Sequence, residues 1–179
     1  MRDWAGRDHV ESLRLWPALV EAVARIESLP ELFSGVLLLG SLSRGEGDAI
    51  SDVDLVAVTR PDRWDEAWAA RRTVSADALV TFDRSEGKPE IAGHSWLGPD
   101  LVKVECLLTA PGRLRLRGNA VVLVGDDELL DSFERLPPLS RRDVDEYAAR
   151  LRATDAISDI ERAYGDLIML LRRELRGTE

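Results

Sequence analysis

The chain has 179 residues, 45% of them hydrophobic, and a formal net charge of −9 at pH 7. This length suits one domain, or one domain with an extension, and is enough to bury a core without disulfide support. The acidic balance argues against a general DNA or RNA binder, because that affinity comes mainly from basic groups on phosphates. One cysteine excludes an intrachain disulfide and fits a reducing compartment.

The N-terminal segment is charged and polar, and no apolar run has the length of a membrane span. We therefore expect a cytoplasmic protein with no membrane partner. Arginine outnumbers lysine by 22 to 2, a bias that we ascribe to codon usage in a GC-rich genome.

The first half of the chain predicts a helix, two strands and a second helix. A helical period runs over residues 8–30, and Pro17, which suits a first helical turn, predicts a kink or restart before a helix that ends near Ser28. The short apolar runs at 34–40 and 53–58 are typical of strands buried on both faces. A second helix is predicted from Pro61.

The second half predicts four more strands and then continuous helix. Strands are indicated at 77–83, twice within 91–109 around a turn at 98–100, and at 119–126. From residue 141 a helical period continues almost to the C-terminus. The pattern predicts an α/β (α+β) fold in which helices flank a mixed sheet. We expect a catalytic domain at 1–135 and a C-terminal helical segment at 136–179.

Two aspartates, Asp52 and Asp54, stand one residue apart at the start of the second predicted strand. Side chains at i and i+2 of a strand share a face, so the two carboxylates project together. Carboxylates held a few ångströms apart repel each other unless a cation lies between them. Mg²⁺, which prefers carboxylate and phosphate oxygens, is the natural counter-ion. The alternative is a solvated strand end.

The loop before these aspartates suggests a phosphate-bearing ligand. Gly40 and Ser41 directly follow the first buried strand, and Arg44 comes three residues later. A glycine lets backbone N–H groups approach a phosphate closely, while the hydroxyl and the guanidinium add donors. The sequence does not match the Walker pattern, since no G-K-[ST] follows.

The whole stretch GSLSRGEGDAISDVDL, residues 40–55, resembles the signature of the polymerase-β-type nucleotidyltransferase superfamily. By pattern it is most similar to the small bacterial members, including the antibiotic-modifying and the toxin–antitoxin enzymes. The resemblance implies the mixed sheet of that superfamily, two Mg²⁺ ions and a nucleoside triphosphate. It also implies transfer of a nucleoside monophosphate with release of pyrophosphate.

The resemblance further implies a third acidic residue on a later strand. Glu105 fits, because its neighbours Val104 and Cys106 are apolar, and the segment resembles the third-acid strand of the kanamycin-type enzymes. Asp77 and Asp83 are weaker candidates. The alternative for Glu105 is a solvent-facing residue paired with Lys103, which shares its face.

The expected function is therefore transfer of AMP from ATP to a hydroxyl of a small, antibiotic-like molecule. Asp52, Asp54 and Glu105 would be the catalytic metal ligands, and Gly40, Ser41 and Arg44 would hold the phosphates. The helical segment is a candidate for acceptor binding or homodimerisation. Two alternatives stay open: a toxin–antitoxin enzyme that modifies a hydroxyl on a partner protein, and an inactive nucleotide-binding or structural module.

Other polar and reactive residues give weaker signals. His9 and His94 form no ligand pair with Cys106 in the sequence, which argues against zinc, and Cys106 is expected to be a buried filler. The alternating arginines of residues 113–117 are interpreted as a solvated edge.

Overall fold

A computed structural model describes residues 1–137 and Arg142. Residues Met1–Leu136 form one compact unit. Apart from Leu136, Pro137 and Arg142, the helical segment predicted for 136–179 lies outside the described residues, so both it and the predicted boundary at 135 stay predictions.

Helices and strands alternate from the second helix to the third strand of the described unit, and mainly strands follow. Its four helices are α1 (Arg7–Glu11), α2 (Trp16–Glu27), α3 (Gly40–Ser43) and α4 (Trp64–Val74). Its eight strands are β1 (Phe33–Leu38), β2 (Val53–Thr59), β3 (Val80–Lys88), β4 (Ile91–Leu97), β5 (Lys103–Thr109), β6 (Arg115–Arg117), β7 (Val121–Val124) and β8 (Glu134–Leu136). A 3₁₀ helix, Asp127–Ser132, lies between β7 and β8.

Six of the strands form one mixed sheet in the order β3-β4-β5-β2-β1-β7. The β2–β5 pair is parallel, and the other four pairs are antiparallel. The central strands β1 and β2 are almost entirely buried, as their continuous apolar runs predict. The predicted α+β fold with a central mixed sheet is confirmed.

The two faces of this sheet carry different layers. On one face, alternate residues such as Val53, Leu55 and Val104 pack in a core cluster with the inner side of α2 and with α4. On the other face, Leu37 and Val56 belong to a second cluster that includes Leu116 of β6 and Phe133, the residue before β8. Burial of each such side chain contributes about 1.5–3 kcal/mol, which fixes the register of the strands.

The helix boundaries follow the prolines only in part. The N-terminal helical period is interrupted between α1 and α2, and α2 restarts with Pro17 in its first turn, as predicted. The next helix begins at Trp64 rather than at Pro61, because residues 60–63 form a turn that connects β2 to the helix. Trp64 and Trp68 stack with ring centroids 6.0 Å apart and pack against the core, as predicted.

The β6–β8 ribbon and the 3₁₀ helix were not predicted. Strand β6 is the arginine-rich segment, and its parallel partner β8 is a short stretch with no clear strand period. Arg115 forms an ion pair of 2.8 Å with Glu134 across the ribbon, and Arg113 forms one of 2.7 Å with Glu90, so these two exposed arginines are paired as well as solvated. Within residues 1–137, no helix is both long and apolar enough to cross a membrane.

Candidate active site

The predicted acidic residues meet where β2 and β5 run side by side. In the parallel register, Asp54 is directly opposite Glu105, while the adjacent Val53 and Val104 face the helix-covered core. Neighbouring strands lie about 4.8 Å apart, so this pairing places the two carboxylates on one face of the sheet. Asp52 precedes β2 by one residue. The structure thus brings together all three predicted acids, although Glu105 is 51 residues from Asp54 in the chain.

Gly40 places the loop after β1 against Asp54. Its φ is +68°, and a Cβ atom built on it would lie only 2.4 Å from Asp54 Oδ2. The N–H of the preceding residue, Leu39, donates a hydrogen bond of 2.9 Å to the Asp54 carbonyl oxygen. Any side chain at position 40 would be strained and would collide with the carboxylate. Glycine is therefore required here by both backbone conformation and space.

Lys103 lies between two of the three carboxylates. Its Nζ is 3.1 Å from Asp52 Oδ2 and also forms an ion pair with Glu105. The side chains of Lys103 and Asp52 are only 15% and 20% exposed, so this pair is screened less than a surface pair. Burial alone would lower the pKa of Lys103, but the hydrogen bond to Glu105 and the two negative charges raise it. The lysine is thus a resident counter-cation.

The remaining carboxylate, Asp54, is electrostatically unsatisfied. Burial, followed by the negative charges of Glu105 and Asp52, raises its pKa from 3.8 to about 6, although Lys103 acts in the opposite direction. A cation bound among crowded carboxylates reduces their mutual repulsion and favours their ionised form. Perturbed acids of this kind concentrate at functional sites.

The donor set fits a hard divalent cation. All three acids offer carboxylate oxygens, the ligands that Mg²⁺ prefers, and burial together with the charges of Glu105 and Asp52 raises the pKa of Asp54, so a cation would favour its ionised form. In residues 1–137, however, no three His, Cys, Asp or Glu side chains surround a common point that one ion could occupy. Binding an ion between all three therefore requires side chains to rearrange around Lys103.

The two other residues predicted to contact phosphate, Arg44 and Ser41, make contacts within the loop itself. Arg44 donates a 2.9 Å hydrogen bond to the Gly40 carbonyl oxygen and a 2.6 Å charged hydrogen bond to Glu46. Ser41 Oγ lies 3.5 Å from Ser51 Oγ. Both residues are close to Gly40 in the chain and in space, and their contact with phosphate stays a prediction.

The weaker third-acid candidates lie elsewhere. Asp77 forms an ion pair with Arg25 of α2. Asp83 accepts hydrogen bonds from Arg71 and contacts His94 Nδ1 at 2.7 Å. The Arg71 guanidinium and the hydrogen bond with His94 hold the pKa of Asp83 down at about 2 against the effect of burial. Neither aspartate joins the three carboxylates.

A second polar chain, which the sequence analysis missed, runs from Asp83 through His94 to Ser75. His94 Nε2 is 2.8 Å from Ser75 Oγ, so the order of groups is that of a hydrolase triad. Both His94 and Ser75 are almost fully buried, at 1% and 4% exposure. Ser75 also directly follows the C-terminal end of α4, where carbonyl groups rather than N–H donors project. We therefore assign the chain a structural role in fastening α4 to β3 and β4.

The helix-covered face of the sheet contains a cleft of about 180 Å³ between α2 and the β4–β5 turn. Its lining includes Trp96, Val102 and Val104. Val104 points away from Glu105 because neighbouring residues on a strand face opposite sides. The cleft is thus separate from the carboxylates. Cys106 is also on this side; its thiol is buried, which raises its pKa to about 12 and confirms its role as a filler.

Comparison with known proteins gives a slight structural likeness. No family model matches the chain, and no curated protein matches it. Among solved structures, the chain is similar to Cid1 in complex with the UTP analogue UMPNPP, at 14% identity and a TM-score of 0.40. The match covers 59% of this chain and 31% of Cid1, so this chain matches less than a third of that protein. At that level the likeness carries no functional argument, which must come from the site itself.

Proposed function

We propose that the protein is a divalent-metal-dependent nucleotidyltransferase. It would transfer a nucleoside monophosphate, with AMP from ATP favoured, to a hydroxyl of a small antibiotic-like molecule. The observation that carries the proposal is the direct pairing of Asp54 with Glu105 on parallel strands, with Asp52 beside them and the glycine loop against Asp54. This is the arrangement that the resemblance of residues 40–55 and of Glu105 implies.

The proposed reaction is an in-line displacement at the α-phosphorus. The acceptor oxygen forms a bond to that phosphorus, the α–β bridging P–O bond breaks, pyrophosphate leaves with the bridging oxygen, and the hydroxyl proton is released. Asp52, Asp54 and Glu105 would hold the cations, of which the resemblance implies two. When bound, Mg²⁺ would neutralise charge on the phosphates and lower the pKa of a coordinated hydroxyl.

The chain's own contribution would be position and charge. Gly40 brings the backbone of the loop to within contact of Asp54, so a phosphate bound by Gly40 and Ser41 would lie beside the carboxylates. Arg44, held to the Gly40 carbonyl, would lie at the outer side of the same loop. Such fixed donors and charges accelerate a reaction because they need no reorganisation in the transition state.

The test is calorimetric titration of the four nucleoside triphosphates with and without Mg²⁺. The wild type should bind at least one of them only when Mg²⁺ is present, and Asp52→Ala/Asp54→Ala should lose that binding. A matched control is Glu128→Ala/Asp131→Ala, which removes the same charge from two exposed positions and should bind normally. If no triphosphate binds the wild type under any metal condition, the proposal fails.

Once the preferred triphosphate is known, it can be used to identify the acceptor. With the preferred α-labelled triphosphate, label transferred to hydroxyl-bearing small molecules, with matching pyrophosphate release, would support the small-molecule reading. Label that goes only to a protein hydroxyl would replace it with the protein-modifying alternative. Binding without any transfer would favour the inactive module.

A further inference from the structure

We propose that Lys103 makes metal binding depend on the nucleotide: it occupies the carboxylates while the site is empty and moves to the triphosphate when the metal enters. The inference rests on the proposed function and extends it to the order of binding. It begins from the position of one side chain, whose Nζ bridges Asp52 and Glu105.

The first step is competition for the same oxygens. Lys103 Nζ is 3.1 Å from Asp52 Oδ2 and is also paired with Glu105. An ion shared by Asp52, Asp54 and Glu105 must use oxygens of the two residues that Lys103 now engages. In the described residues no three acids surround a common point, which is what this arrangement of the lysine predicts. Metal alone must therefore displace two ion pairs.

The second step concerns the displaced ammonium. Lys103 is only 15% exposed, and leaving the carboxylates without a new partner would place a charge in a partly buried site, which is costly. A triphosphate bound at the adjacent loop supplies that partner. Metal and nucleotide then favour each other's binding, and such couplings commonly change affinity by about 5- to 150-fold.

The third step concerns the residue type. The chain has 22 arginines and only two lysines, Lys88 and Lys103. A lysine ammonium is a compact charge on a flexible stem that exchanges one anion for another, whereas a guanidinium forms a planar fork with a fixed carboxylate. A lysine at this position, in a chain so rich in arginine, suits a counter-ion that must move.

The experiment measures the affinity for a metal ion in the absence of catalysis. Mn²⁺ is titrated into the full chain without nucleotide, and free Mn²⁺ is followed by electron paramagnetic resonance. Lys103→Met should bind Mn²⁺ about fivefold or more tightly than the wild type, because the competitor is gone. Lys103→Gln is a second neutral variant in case the first folds poorly, and Lys103→Arg keeps the charge and should keep the weak metal binding.

The second readout is the affinity for an ATP analogue with a non-cleavable α–β bridge at saturating Mn²⁺. It should fall for Lys103→Met, because the phosphate loses a cation. Opposite changes in the two affinities identify competition, since a merely structural defect would weaken both. Lys88→Met is the matched control for loss of one positive charge at an exposed position and should change neither affinity by more than about twofold.

Two outcomes overturn the inference while leaving the proposed function intact. If the wild type binds the analogue with metal but neither neutral Lys103 variant binds Mn²⁺ alone more tightly, Lys103 does not compete. If Lys88→Met gives the same gain, the effect is general electrostatics. If the wild type binds no analogue with any metal, the proposed function itself fails, and the inference with it.

Discussion

Replacing Asp54 with asparagine should stabilise the metal-free protein at neutral pH. Burial and the charges of Glu105 and Asp52 raise the pKa of Asp54 from 3.8 to about 6. At 1.36 kcal/mol per pH unit, this gap corresponds to about 3 kcal/mol of destabilisation when the group is ionised. Asparagine has nearly the same shape without the charge. We expect a gain of about 1–3 kcal/mol in the free energy of unfolding, the lower end applying if the amide finds few hydrogen-bond partners.

The sign of the pH dependence follows from proton binding. Between about pH 4 and pH 6, the folded state keeps a proton on Asp54 that the unfolded state has lost. Because the folded state binds more protons there, this group makes the wild type less stable as the pH rises through that window. The advantage of Asp54→Asn should therefore be absent near pH 4 and fully developed at about pH 7.

Urea unfolding in EDTA, followed by tryptophan fluorescence, would measure the effect. All five tryptophans lie between residues 4 and 96, so the signal reports on the described unit. Asp52→Asn is the matched control: it removes a partner of Lys103 and should not raise the stability. The reasoning is refuted if Asp54→Asn lowers the free energy of unfolding at pH 7, or if its gain is equal at pH 4 and pH 7.

Three further predictions concern the loop and the helix-covered face. Gly40→Ala should lose about 1–2 kcal/mol of stability because its φ is positive. It should also abolish metal-dependent nucleotide binding, because the added methyl group contacts Asp54. Gly87→Ala is the control: it shares the positive φ but has open space around it, so the same denaturation and calorimetric assays should show the stability loss alone. His94→Ala should cost about 2 kcal/mol in urea unfolding, because the buried Ser75 hydroxyl loses its partner, yet it should leave nucleotide affinity unchanged. Burial lowers the pKa of His94 although Asp83 opposes this, so His94 should reduce wild-type stability as the pH falls below about 6.5. Cys106, with its pKa raised to about 12, should react with a disulfide reagent only as fast as the protein unfolds, and rapid labelling of the native protein would contradict its burial.

The sequence predicted the strands and the site residues where the signal is local. Continuous apolar runs identified β1 and β2 because both faces of these strands are buried. The i, i+2 spacing of Asp52 and Asp54 needed only the alternation of a strand. The glycine at position 40 could be recognised from its place after a buried strand, although its contact with Asp54 could not.

The features that the sequence did not reveal depend on which residues of paired strands lie opposite each other. Glu105 lies opposite Asp54 only because β2 and β5 pair in a register that joins residues 51 apart in the chain. Glu105 was chosen from a resemblance, because the sequence alone does not give that register. The chain from Asp83 to His94 requires the β3–β4 pairing, which no local period encodes. The β6–β8 ribbon was missed because three-residue strands give too short a pattern to detect.

The charge balance of the site connects its stability to its proposed chemistry. Three carboxylates and one lysine leave two formal negative charges in a partly buried position, on a chain that already carries −9. Such a site would repel a free triphosphate and attract cations, so the proposed nucleotide would bind best together with its metal. Burial first, and then the charges of Glu105 and Asp52, raise the pKa of Asp54, and ionisation of this carboxylate at neutral pH weakens the metal-free protein. An arrangement that only stabilised the fold would replace Asp54 with a neutral residue; retaining the carboxylate at a cost in stability is what a cation-binding site requires.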